Sequence, residues 1–138
     1  VYGVLSLLFV MFIKFEALLS MKVEQLPLVW IAGHAFSRLA SIGLLLPLNY
    51  LGGSNNKSSS MVQLDFQDWL VAGISGILPL MFLGIEAFSA VAAILILGGV
   101  LTRFFGKRIG GVTGDCLGAS QQLSETLFYL IMAIYFHT

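Results

Sequence analysis

The residues best placed to do chemistry lie in a glycine-rich junction that precedes the last apolar run of the chain. This junction, Gly110 to Ala119, places Asp115 among glycines spaced four apart. If a helix begins near Asp115, Gln122 and Glu125 follow on nearly the same side of it. Backbone amides beside a carboxylate suit a site where a divalent cation and N–H groups together hold phosphate oxygens. The junction therefore predicts a phosphate and metal site.

The same glycines also have a purely structural interpretation. On a helix, Gly110, Gly114 and Gly118 would form a smooth face that lets another helix approach closely. Packing alone requires no carboxylate at this position, and the Gly-x4-Gly-Lys-Ser/Thr pattern of a Walker A loop is absent. Cys116 is interpreted as a small buried residue rather than a reactive thiol.

A second polar group lies inside an apolar run nearer the start of the chain. His34, Ser37, Arg38 and Ser41 recur at helical spacing and fall within about a 100° arc of one face. Arg38 either binds a phosphate or pyrophosphate, or ties two helices together by pairing with a buried carboxylate. We interpret His34 as a hydrogen bonder in helix packing. Lys14, in the first apolar run, is predicted to extend towards the far membrane interface.

The elements that must position these residues are apolar helices in a lipid environment. Hydrophobic residues make up 58% of the chain and charged residues 10%, against roughly 25% in a usual soluble domain. Seven Lys plus Arg balance seven Asp plus Glu, so no net charge would attract nucleic acid. One cysteine excludes an internal disulfide framework. The chain enters an apolar run at Val1 without a basic stretch, so we expect an internal segment of a longer protein.

The apolar runs predict an all-α fold, a polytopic membrane bundle of about five transmembrane helices in a single domain over residues 1–138. The predicted spans are about 2–19, 26–51, 69–83, 86–101 and 119–136. The third and fourth are short, and Pro79 and Gly84 favour a tight helical hairpin or a kink at Pro79 over a single longer broken span. The polar stretch 52–60 is predicted to be a flexible loop.

Basic residues outside the spans indicate the orientation. Five spans put the loop of Lys57 and the cluster Arg103, Lys107 and Arg108 on one side, and Lys22 on the other. Because Lys and Arg collect on the cytoplasmic side, we predict that the side with the cluster is cytoplasmic.

The junction also carries a family resemblance. The run Gly110-Gly111-Val112-Thr113-Gly114-Asp115-Cys116-Leu117-Gly118-Ala119, followed by Gln122-Leu123 and Glu125, resembles the carboxyl-terminal signature of cobalamin-phosphate synthase, also called adenosylcobinamide-GDP ribazoletransferase. Ser37-Arg38 is similar to a Ser-Arg pair of that family, and Tyr2-Gly3 with the run bearing Lys14 adds weaker support. Some relatives carry a carboxylate where this chain has Gln122.

The resemblance implies a magnesium-dependent transferase in a prokaryotic plasma membrane. In the implied reaction, a ribose hydroxyl of α-ribazole, or of its phosphate, attacks the cobinamide-side phosphorus of adenosylcobinamide-GDP and releases GMP. An acidic Asp-Gly-x-x-Asp-x-x-Asp-Gly motif of the family is expected upstream of Val1. The chain would then be roughly the second half of such an enzyme, with an incomplete metal site, and is expected to be inactive alone.

The predicted site residues follow from the motifs and the resemblance together. We predict Asp115 and Arg38 as catalytic and Asp115 as a ligand of Mg²⁺. The predicted substrate-binding residues are Gly111, Thr113, Gly114, Ser37, Gln122 and Glu125.

The competing interpretation is a transporter or channel segment, in which Arg38, Asp115 and Glu125 line a solute or proton path. The sequence leaves open the lower-ligand base, the oligomeric state and the organism.

Overall fold

The computed structural model describes residues 2–51 and 65–137, which form five α-helices and no β-strands. The prediction of an all-α fold with five helices is therefore confirmed for this part of the chain. The predicted loop at 52–60 and Lys57 lie outside the described residues. The helices are α1 (Tyr2–Leu19), α2 (Leu26–Gly43), α3 (Phe66–Met81), α4 (Glu86–Arg108) and α5 (Gly114–Tyr135).

Helix ends depart from the predicted spans where local backbone chemistry outweighs hydropathy. Helix α2 ends at Gly43, eight residues before the predicted end, because Pro47 cannot donate a backbone hydrogen bond and disfavours helix at the preceding residue. Helix α3 begins at Phe66, three residues before its predicted start, because two side chains cap it. The Asp65 carboxylate accepts a hydrogen bond from the Phe66 amide at 2.8 Å, and the Asp68 carboxylate accepts one from the Asp65 amide at 3.0 Å.

The last two helices are longer than predicted. Helix α4 continues past Leu101 and places Lys107 and Arg108 in its final turn, where cations interact favourably with the helix dipole. The helix ends before Gly110, whose φ of +80° suits glycine. Helix α5 begins at Gly114, five residues before its predicted start, because Thr113 caps it through the Cys116 amide.

Helices α2 and α5 form the centre of the bundle. Helices α1 and α4 pack against α5, and α3 packs against α2. The main core is built from apolar side chains of these helices, including Ala32, Ala90, Phe128 and Met132. A smaller cluster of Leu44, Leu101, Phe105 and Val112 closes one end.

The predicted hairpin of the third and fourth spans is wrong. Helix α3 packs along α2, and α4 packs along α5, so the two helices diverge from the turn at Gly84 instead of pairing. Pro79 lies inside α3, two residues before the helix ends at Met81. The divergence leaves an apolar cleft of about 510 Å³ between α3 and α4.

The connections meet at the two ends of the bundle. Residues 49–51 pair with Val112, with the Leu51 amide donating to the Val112 carbonyl at 2.7 Å and the Val112 amide to the Asn49 carbonyl at 2.9 Å. We call this end, which lies beside Lys107 and Arg108, the basic end. At the opposite end Met21 pairs with His137.

Within the described residues, α4 is the one helix that is long and apolar enough to cross a membrane by length and composition, and α3 is apolar but shorter. The polytopic membrane arrangement therefore stays a prediction.

Candidate functional site

A buried ion pair joins α1 to α5 in the middle of the bundle. The Lys14 ammonium lies 3.0 Å from Glu125 Oε2 and donates a hydrogen bond to Gln122 Oε1 at 2.6 Å. The two charged side chains are only 13% and 8% exposed. Glu125 lies eleven residues, or about 16 Å, from the start of α5, so the pair is far from either helix end.

Two further side chains, Tyr129 and His34, lie beside the other carboxylate oxygen of Glu125. Tyr129 donates to Glu125 Oε1 at 2.9 Å, and its hydroxyl also lies 3.4 Å from the Trp30 carbonyl. His34 Nδ1 lies 3.7 Å from the same Oε1, and its side chain is half exposed. The five residues Lys14, His34, Gln122, Glu125 and Tyr129, here called the central network, therefore connect α1, α2 and α5.

A glycine allows α2 and α5 to come close enough for this network. A Cβ at Gly33 would lie 2.5 Å from a ring carbon of Tyr129 and 2.8 Å from one of Phe128. These distances are shorter than side chains tolerate, so glycine at this position permits the close approach that places His34 beside Glu125.

Arg38 lies apart from the network, on the exposed side of α2. It lines an open groove between α2 and α3, of about 600 Å³, together with His34, Trp30 and Ser75. No carboxylate of the described residues lies within ion-pair distance of its guanidinium. The interpretation of Arg38 as a structural tie between helices therefore has no support in residues 2–51 and 65–137, and its charge remains available for a ligand. The adjacent Ser37 is buried and donates to the His34 carbonyl at 3.0 Å.

The glycine-rich junction lies at the basic end. Gly111 is buried against the 49–51 segment, since a Cβ there would lie 2.4 Å from the Asn49 carbonyl oxygen. Thr113 is half-buried and caps α5, and Gly114 is the first helical residue. Asp115 is exposed in the first turn of α5, where the helix dipole stabilises a negative charge.

The predicted acidic residues of α5 do not converge on one point. Asp115 and Glu125 are ten residues, or about 15 Å, apart along the helix, so they cannot bind one metal ion together. In the described part of the chain, no three His, Cys, Asp or Glu side chains are grouped to hold a metal. Asp115 by itself still fits Mg²⁺, which commonly takes one or two carboxylates plus substrate phosphates and water.

Two expectations about helix surfaces need correction. Lys14 does not extend to an interface, because its ammonium is held inside the bundle by Glu125 and Gln122. The glycine packing face is also wrong: a Cβ at Gly118 would meet nothing within 4 Å, and Gly110 precedes the helix.

The central network is the feature that the sequence interpretation missed. A lysine in an otherwise apolar helix is a signal that a buried partner exists, because an unpaired charge in an apolar setting is costly. Glu125, also inside an apolar run, was the available partner of opposite charge.

Comparison with known proteins gives a consistent result. The cobalamin-5-phosphate synthase family model matches residues 1–133. The chain is 34% identical to adenosylcobinamide-GDP ribazoletransferase of Shewanella frigidimarina over 95% of its length, and 32% identical to that of Ralstonia pickettii over 91%. The same-named protein of Vibrio cholerae is 30% identical over 97% of the chain.

The chain spans about half the length of these relatives, between 50% and 53%. No solved structure matches it. The family match covers nearly the whole chain, including both the Ser37-Arg38 pair and the junction around Asp115 that carried the resemblance. The chain therefore belongs to the cobalamin-5-phosphate synthase family.

Proposed function

We propose that the chain is part of a membrane transferase of cobalamin biosynthesis that joins adenosylcobinamide-GDP with α-ribazole or its phosphate and releases GMP. The observation that carries this proposal is the shared name of the relatives, which match 91 to 97% of the chain. The comparisons lend no support to the transporter alternative.

The exposed polar residues suit this reaction better than the buried ones. Arg38 offers five donors to phosphate oxygens from an open groove, and no described carboxylate competes for its charge. Asp115 presents a carboxylate at the basic end and would hold Mg²⁺ against the pyrophosphate. Bound there, the metal ion would offset negative charge on the phosphates. Within the central network, Lys14 and Tyr129 already engage Gln122 and Glu125, so we assign Gln122 and Glu125 a positioning role behind the groove.

A membrane location is supported by the apolar surface of the bundle. Large apolar side chains cover most of the outside of α1, where Leu8, Phe12 and Phe15 are each 58 to 60% exposed. Soluble monomers rarely expose apolar patches larger than a few hundred Å². Together with the apolar helix α4, this surface suits a prokaryotic plasma membrane, with the basic end in the cytoplasm.

Cysteine labelling tests this orientation. In a Cys116→Ser background, Asn49→Cys and Lys107→Cys should react from the cytoplasmic face, and Val23→Cys, at the opposite end, should react only from the other face. All four positions are outside the central network. Labelling of the Asn49 and Lys107 variants from opposite faces would contradict the proposed arrangement.

The activity is tested with the intact enzyme in liposomes. Incubation with adenosylcobinamide-GDP and α-ribazole phosphate should release GMP and form the joined corrinoid, and removal of divalent cations should abolish both. Release of GMP without the joined product would identify a hydrolase instead. Activity retained in excess chelator would remove the proposed role of Mg²⁺ but not the transferase assignment.

A further inference from the structure

The groove between α2 and α3 has three chemically different side chains in a row. Trp30, His34 and Arg38 are four residues apart on α2, and all three line the groove opposite Ser75 of α3. Trp30 is 62% exposed and the His34 side chain 49%, so both are accessible from the groove. The row offers an aromatic surface, a hydrogen-bonding imidazole and a cation, in that order.

The spacing of this row matches the length of a nucleoside phosphate. Arg38 follows Trp30 by eight residues, which is about 12 Å along the helix axis. Over this length the direction of the three side chains rotates by about 80° around the axis. An aromatic base, a ribose and a phosphate follow one another over a comparable distance. Aromatic side chains stack on bases, and Arg binds phosphate through paired donors.

The central network lies behind the first two positions of this row. Glu125 Oε1 lies 3.7 Å from His34 Nδ1, and this carboxylate favours the neutral tautomer that carries its proton on Nδ1 and can accept a hydrogen bond from a hydroxyl at Nε2. Tyr129 donates to the same carboxylate and lies 3.4 Å from the Trp30 carbonyl. Two neighbouring side chains of α5 thus lie behind the groove, Glu125 beside the imidazole of His34 and Tyr129 beside the backbone of Trp30.

We propose that the α2–α3 groove binds the acceptor nucleoside phosphate, and that Trp30 determines which bases it accepts. The base stacks on Trp30, a ribose hydroxyl other than the attacking one donates to His34 Nε2, and the phosphate of the nucleoside binds Arg38. This inference rests on the proposed function, and it assigns Arg38 to the acceptor rather than to the pyrophosphate of adenosylcobinamide-GDP. Glu125 and Tyr129 act as positioning residues.

Steady-state kinetics of the intact enzyme can test the assignment. Trp30→Leu should raise the KM for α-ribazole phosphate about tenfold to a hundredfold, with the KM for adenosylcobinamide-GDP unchanged, because a stacked base is lost. Trp30→Phe should restore most of the affinity. With wild-type enzyme, nucleoside phosphates with smaller bases should bind more weakly, and this ranking should flatten in Trp30→Leu.

Arg38 gives an independent measurement. Arg38→Gln should raise the KM for α-ribazole phosphate but change that for unphosphorylated α-ribazole little. Matched controls are Trp69→Leu on α3 and Arg103→Gln on α4, which lie outside the groove and should keep wild-type KM values. All these variants remove exposed or half-exposed side chains, and melting temperatures check that each one folds.

The outcomes separate this inference from the proposed function. Suppose that wild-type enzyme joins the two substrates. If Trp30→Leu and Arg38→Gln then raise the KM for adenosylcobinamide-GDP, or leave the KM of both substrates unchanged, the groove assignment is overturned and the proposed function stands. If wild-type enzyme joins no substrates under any condition, the proposed function fails and the groove assignment fails with it.

Discussion

Removing the buried charges one at a time and then together should reveal how strongly α1 is held to α5. At the observed 3.0 Å between Lys14 Nζ and Glu125 Oε2, an effective dielectric constant of about 20 gives an attraction of about 5 kcal/mol. Desolvation of the two ions offsets much of this attraction. Removing one partner leaves the other charge buried, however, and typically costs about 3–5 kcal/mol.

We therefore expect Lys14→Met and Glu125→Gln each to lower the free energy of unfolding of the intact enzyme by about 3 kcal/mol or more. The double variant should be less destabilised than either single variant, because no uncompensated charge remains. The expected coupling energy is at least about 3 kcal/mol.

Denaturant titration in mixed micelles measures these free energies, with turnover measured on the same samples. Lys22→Met, which removes an exposed lysine at the opposite end of the bundle, is the matched control and should change stability by less than about 0.5 kcal/mol. Additive effects, with a coupling energy below about 1 kcal/mol, would refute the buried pair. Recovered stability without recovered turnover would support the positioning role of Glu125.

Two other substitutions test the glycine-rich junction. Asp115→Asn should lower turnover roughly a hundredfold, which is about 2.7 kcal/mol of transition-state stabilisation. Because the side chain is exposed, the free energy of unfolding should fall by less than about 1 kcal/mol. Unchanged turnover and magnesium dependence would remove the catalytic role of Asp115, and Glu24→Gln is the control at another exposed carboxylate. Gly111→Ala should lower the free energy of unfolding by about 1–3 kcal/mol, since its Cβ would lie 2.4 Å from the Asn49 carbonyl oxygen. Gly118→Ala faces open space and should be neutral or slightly stabilising. Equal melting temperatures for the two variants would contradict the close contact at Gly111.

Local sequence patterns determined the elements of this protein. Apolar runs locate each helix because only continuous apolar stretches can be buried or face lipid, and the junction string identifies the family. Helix ends were less well predicted, since hydropathy varies gradually while a cap acts at one residue. The sequence nevertheless contains capping signals, Asp65 with Asp68 and Thr113, that mark the starts of α3 and α5.

The partners of the polar residues were decided by tertiary structure alone. Lys14 and Gln122 are 108 positions apart, and no local pattern specifies which faces of α1 and α5 meet, because α1 is apolar on nearly every side. Spacing on α5 places Asp115 and Glu125 on similar sides, but the rise of the helix separates them by about 15 Å. Packing then buries Glu125 against α1 and α2 and leaves Asp115 exposed, because Asp115 lies in the first turn of α5, before Ser120, the first buried residue of that helix.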